Sequence, residues 1–110
     1  SLDEEALYKI LTNTKNSLLR QYKALLAVED VELEFDDEAI RAFAKYSVTA
    51  NEKTEDIGAR RLHTVIEKVI EDISFQADEK KGTKVIVTKE LVADKLDDIV
   101  DNIDTARYIL

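Results

Sequence analysis

The sequence predicts a mainly α, α+β fold of about five helices with one small two-stranded β-sheet. Three observations lead there. Apolar residues recur at helical spacing along most of the chain, two short runs alternate instead with period two, and the 110 residues hold no proline and only two glycines. Little in the sequence therefore interrupts a helix.

Ala6, Leu7, Ile10 and Leu11 form the stripe of a first helix, with Ser1 and Glu4 in capping-box spacing at its start. A polar break over Thr12–Asn16 leads to a second stripe, Leu18, Leu19, Tyr22, Leu25 and Leu26. Val31, Leu33 and Phe35 alternate with Glu32 and Glu34, the pattern of a half-buried strand. Asp36 or Asp37 can cap a third helix carrying Ala39, Ile40, Phe43, Ala44, Ser47 and Val48. A polar connection is expected from Asn51 to Ile57, then a long fourth helix from Gly58 to Ala77 with Leu62, Val65, Ile66, Val69, Ile70 and Ile73 on one face. Lys80–Gly82 reads as a turn and Lys84–Thr88 as the second strand. Thr88 can cap a last helix bearing Leu91, Val92, Leu96, Ile99 and Val100. Two short strands are not stable alone in water, so the pair must lie across the helices.

Composition excludes several functions. Lys and Arg total 16 against 24 Asp and Glu, a net charge of −8 with the basic residues scattered, which argues against nucleic acid. No apolar run approaches the ~20 residues of a membrane span, and no signal peptide is read at the start. With no cysteine there is no disulfide or thiolate metal site, and a cytoplasmic location is expected. A 45% hydrophobic content supplies one modest core, and an isolated acidic domain of this kind is expected to be monomeric.

Catalytic chemistry is missing. No Gly-rich phosphate loop occurs, and His63 is the only histidine, expected to pack or to hydrogen-bond rather than to bind metal. The acidic groups Asp36–Glu38, Asp97, Asp98 and Asp101 lack the calcium-loop spacing and read as a solvated face. No catalytic or metal-ligating residue is assigned, and the chain alone is expected to be inactive.

The most informative segment is Glu55-Asp56-Ile57-Gly58-Ala59-Arg60-Arg61-Leu62-His63. Arg60 projects roughly 150° from the apolar stripe of the fourth helix, away from the core. A cation in a first helical turn is disfavoured by the dipole by ~0.3–1 kcal/mol, a balance that an anionic ligand reverses. Two readings stay open on the residues: Arg60 and Arg61 pair at the surface with Glu55, Asp56 or Glu67, or they meet a phosphate.

Gly58-Ala59-Arg60-Arg61-Leu62 opening a long helix, with Asn51-Glu52 and Ile57 before it, resembles the sensor-2 segment of the Clp/Hsp100 AAA+ unfoldases. Gln21-Tyr22-Lys23-Ala24-Leu25 and the terminal Arg107-Tyr108-Ile109-Leu110 are similar to the HslU (ClpY) ATPases among them, and the resemblance runs the length of the chain. It implies an AAA+ C-terminal small (lid) domain over residues 1–100, lying against ATP held mainly by a large domain outside this chain. It further implies that Arg60 is the sensor-2 arginine, with Arg61 the family's second arginine and Ile57 and Gly58 shaping the nucleotide approach. Nucleotide-dependent rotation of such domains would travel around a hexameric ring of ATPase copies and unfold protein substrates.

The last residues end in large apolar groups beside a free carboxylate, which either dock on the domain itself or are captured by a partner. The resemblance favours capture: residues 101–110 form a tail whose Arg107, Tyr108, Ile109 and Leu110 dock on and activate an HslV-type peptidase. The alternatives are a ClpX-like unfoldase small domain, which docks through an internal loop, and a free-standing acidic helical adaptor that binds proteins.

Overall fold

The computed structural model of the chain describes residues 2–13 and 18–101. Helices α1 (Glu4–Thr12) and α2 (Leu18–Val28) precede strand β1 (Val31–Phe35), and α3 (Asp37–Lys53) and α4 (Arg60–Phe75) follow. A short 3-10 helix (Ala77–Lys80) leads into strand β2 (Thr83–Val87), and α5 (Lys89–Asp101) closes the described chain. The expected mainly helical α+β class is what forms. Ser1, part of the polar break and the terminal Arg107, Tyr108, Ile109 and Leu110 lie outside the described residues.

Strands β1 and β2 pair in parallel, in register from Val31 opposite Thr83 to Phe35 opposite Val87. A parallel pair needs a long crossover, and here it is the whole of α3, α4 and the 3-10 helix. Val31, Leu33 and Val87 point into the core while Glu32 and Ile86 face outward. The second strand starts one residue earlier than expected and releases Thr88, whose hydroxyl accepts the Leu91 N–H at 3.2 Å to cap α5.

Helix α3 is the central element, contacted by α1, α4 and α5. Its buried face is built of Ala39, Ala42, Ala44, Ser47 and Ala50 around a single large residue, Phe43. Small side chains let three helices approach one axis closely. Phe43 meets Phe35 edge to face at 5.9 Å, tying the helix to the sheet. Truncating Phe43 to alanine would cost about 3–5 kcal/mol through the cavity left behind. The α4 stripe is buried at every expected position from Leu62 to Ile73.

Several local expectations are corrected. Asp3 caps α1, its Oδ1 accepting the Ala6 N–H at 2.8 Å, with Glu4 and Glu5 placed to favour the helix dipole. Of the two aspartates before α3, Asp36 is the cap, bonded to the Ala39 N–H at 2.7 Å. Ile10 and Leu25 flank their stripes and remain 41% and 57% exposed. Helix α3 runs on past Asn51 to Lys53, and α4 is shorter at both ends than the span from Gly58 to Ala77. Ala77 is still buried, but as the first residue of the 3-10 helix.

Candidate functional site

The turn between α3 and α4 brings the singled-out residues together. Thr54 ends α3 with both its N–H and its hydroxyl bonded to the Ala50 carbonyl, at 2.9 and 2.6 Å. The exposed Asp56 accepts the Gly58 N–H at 2.9 Å in an Asx turn. Gly58 itself has φ +61°, in the left-handed region where a side chain is strained. Its carbonyl then accepts the Arg61 N–H at 3.2 Å, and Ala59 accepts that of Leu62 at 3.0 Å, tightening the first turn of α4. Ala59 supplies no side-chain cap.

Asn51 and Arg61 close this turn from either side. Asn51 Oδ1 accepts the Ile57 N–H at 3.2 Å and the Arg61 Nε hydrogen at 2.9 Å, while its Nδ2 donates to the Gly58 carbonyl at 3.2 Å. Arg61 Nη2 donates to Thr54 Oγ1 at 3.1 Å and to the Glu55 carbonyl. Arg61 is only 4% exposed, so the expectation of two surface arginines holds for Arg60 alone. Burial draws the Arg61 pKa below its ordinary value, while the nearby Glu55 and Asp56 charges oppose that shift.

Arg60, the first residue of α4, is exposed, and its guanidinium pairs with none of Glu55, Asp56 and Glu67 or any other described residue. Glu67 instead stands 3.2 Å from His63 Nε2. His63 Nδ1 lies 3.1 Å from the Tyr22 hydroxyl, linking α4 to α2. Ile57 and Gly58 are partly exposed beside Arg60 in sequence. Among the described residues no three His, Asp or Glu side chains gather in a way that could hold a metal. No described helix is long and apolar enough to cross a membrane.

Sequence reasoning assigned no role to Asn51 or Thr54. Both looked like ordinary polar loop residues, and only the backbone shows that Asn51 is still helical, buried and aimed forward. A signal does exist: an asparagine six and seven residues ahead of an Ile-Gly pair sits within reach of both backbone groups of that turn.

Among the described residues, five helices and a parallel two-stranded sheet have the architecture of an AAA+ C-terminal small domain. The chain belongs to the family of the C-terminal, D2-small domain of ClpB protein, whose model matches residues 2–86. It is 63% identical over all 110 residues to the ATP-dependent protease ATPase subunit HslU of Campylobacter jejuni subsp. jejuni serotype O:23/36. It is 58% identical over the same 110 residues to HslU of Helicobacter pylori strain G27 and of Helicobacter acinonychis strain Sheeba. The similarity covers 100% of this chain and 25% of each of these relatives. The HslU resemblance read from the sequence thus holds along the entire chain.

Proposed function

We propose that this chain is the C-terminal part of an HslU-type ATPase subunit of a two-component ATP-dependent protease. In this reading residues 1–100 form the small domain and residues 101–110 a peptidase-docking tail. One observation carries it: Arg60 extends from the outer face of α4 with no partner for its guanidinium among the described residues. Similarity to HslU subunits over all 110 residues supports the same reading.

Arg60 then binds the terminal phosphates of ATP, its planar donors suiting phosphate oxygens. Ile57 and Gly58 border that contact. The fit is partial by design, since one arginine and a turn do not hold a nucleotide; the rest of the site belongs to the large domain. ATP supplies the phosphoanhydride energy of the cycle. Arg60 senses whether the terminal phosphate is present, and this difference in contacts biases a rigid-body rotation of the small domain. In a cytoplasmic hexameric ring the rotation passes to neighbouring copies and drives substrate unfolding. Arg107, Tyr108, Ile109 and Leu110 bind between subunits of an HslV-type peptidase and activate it.

Two experiments test this. In the full ATPase subunit, Arg60→Ala is expected to lower kcat/KM for ATP by about 100-fold, the scale on which loss of one preorganised donor to a developing negative charge is felt; unchanged turnover overturns the phosphate role. A synthetic peptide of residues 101–110, titrated into an HslV-type ring with a fluorogenic substrate, is expected to activate saturably. Equal activation by a peptide lacking Tyr108–Leu110, or none by the full peptide, overturns the docking role.

A further inference from the structure

The geometry points to a function for Asn51 and Arg61 as positioning residues: together they lock the turn before α4 so that Arg60 leaves the helix at a fixed place. We infer this on top of the reading of Arg60 as a phosphate ligand. Arg61 is 4% exposed as a residue, and a charge taken out of water is costly unless its donors are met. Here they meet Asn51 Oδ1, Thr54 Oγ1 and the Glu55 carbonyl, a side-chain amide, a hydroxyl and a backbone group from the end of α3 and the turn after it. Apolar residues of similar volume are often as stable in such a place, so packing alone gives no reason for an arginine. What the arginine adds is direction. Its fork holds the carbonyl of Glu55, while Asn51 holds the Ile57 N–H and the Gly58 carbonyl.

The turn is thereby gripped at three of its peptide groups, those that carry the Glu55 carbonyl, the Ile57 N–H and the Gly58 carbonyl. Gly58 supplies the reversal at φ +61°, and α4 begins two residues later at Arg60. Because Arg60 and Arg61 are adjacent, fixing Arg61 fixes the backbone from which Arg60 extends. A displacement of about 1 Å at a reacting group can cost on the order of a hundredfold in rate, so a rigid origin for Arg60 is worth a buried charge. The two arginines therefore divide the work, one bound inward to hold and one free outward to contact.

A double-mutant cycle in the full ATPase subunit tests this, read as kcat/KM for ATP. Asn51→Ala alone is expected to lower kcat/KM about tenfold. In an Arg60→Ala background the same substitution is expected to lower it less than about twofold, because there is no longer a contact to position. Asn51→Asp, which keeps the oxygen facing Arg61 and Ile57 but loses the donor to the Gly58 carbonyl, should recover only part of the activity, and Arg61→Lys, which loses the fork, should fall as far as Asn51→Ala. Should Asn51→Ala not fold, Thr54→Val runs the same cycle. Equal losses in both backgrounds, or no loss in either, overturn the positioning role while leaving Arg60 as a ligand. No loss from Arg60→Ala itself overturns the phosphate reading, and the positioning role falls with it.

Discussion

Asn51 Oδ1 and Arg61 Nε meet at 2.9 Å across ten residues of chain, whereas the neighbouring Arg60 is exposed and its guanidinium makes no hydrogen bond or ion pair with a described residue. Two neighbouring residues of the same type thus have opposite energetic roles. Arg61→Ala removes charge-assisted bonds from a buried site and is expected to destabilise by about 2 kcal/mol. Arg60→Ala removes an exposed cation from the positive end of a helix dipole and should stay within about 0.5 kcal/mol of the parent, on either side. Urea unfolding of the 110-residue chain followed by far-UV circular dichroism checks both. Equal effects of the two substitutions would contradict the inward and outward assignment.

Backbone conformation makes a second prediction. Asp30 has φ +60° after the last turn of α2, and its carbonyl accepts the Gly82 N–H at 2.7 Å beside the sheet. A side chain there carries strain that glycine avoids, so Asp30→Gly is expected to add about 0.5–1 kcal/mol with that hydrogen bond kept. Gly58 and Gly82 lie in the same region, at φ +61° and +76°, with nothing within 4 Å of where a Cβ would stand. Gly58→Ala and Gly82→Ala should therefore each cost about 1 kcal/mol from strain alone, with no clash to relieve. Thermal melts of the three variants give the signs directly.

Periodic segments were legible in the sequence because their burial is imposed by geometry. The α4 stripe from Leu62 to Ile73, the alternation Val31-Leu33-Phe35 and the Thr88 cap all form as read. Sequence and structure part where a polar residue continues a helix. Asn51 is polar yet helical, since its amide bonds forward into the turn, and the end of α3 was placed three residues too early. Gly58 and Ala59 look like a helix start but form a turn, because Gly58 has positive φ. The exposed phase of Arg60 followed from counting 100° steps. Arg61, one step further round, could not be judged the same way, because its partners come from the end of α3 and the turn beyond it.

A third prediction concerns the middle of α3. Ser47 is fully buried, and its hydroxyl has no hydrogen-bond partner among the described residues. A hydroxyl taken from water without a partner costs about 1–3 kcal/mol. Ser47→Ala removes that cost, raises helix propensity and leaves only a small void among the neighbouring alanines. The variant is expected to be more stable by about 0.5–1 kcal/mol, measured as a shift of the urea midpoint at unchanged m-value. Destabilisation would mean that the hydroxyl is bonded in solution.

Tyr22 supplies the pH prediction. Burial raises its pKa well above the ordinary phenol value, and the nearby Glu67 charge adds to this, while the hydroxyl lies 3.1 Å from His63 Nδ1. A group whose pKa is raised on folding contributes stability that is complete below its unfolded pKa, about 10 for tyrosine. That contribution is lost as pH climbs from there through the higher folded value, because only the unfolded chain releases the proton easily. Tyr22→Phe keeps the ring and removes the titration. At pH 8 the variant should be less stable by about 1 kcal/mol, the worth of the lost hydrogen bond. Between about pH 10 and 11 the parent should lose stability faster than the variant, so that the gap narrows. Paired urea titrations at both ends of that range isolate Tyr22 from the lysines and other tyrosines, which titrate in both proteins. A gap that stays constant would place the Tyr22 hydroxyl in water, and with it loosen the contact between α2 and α4.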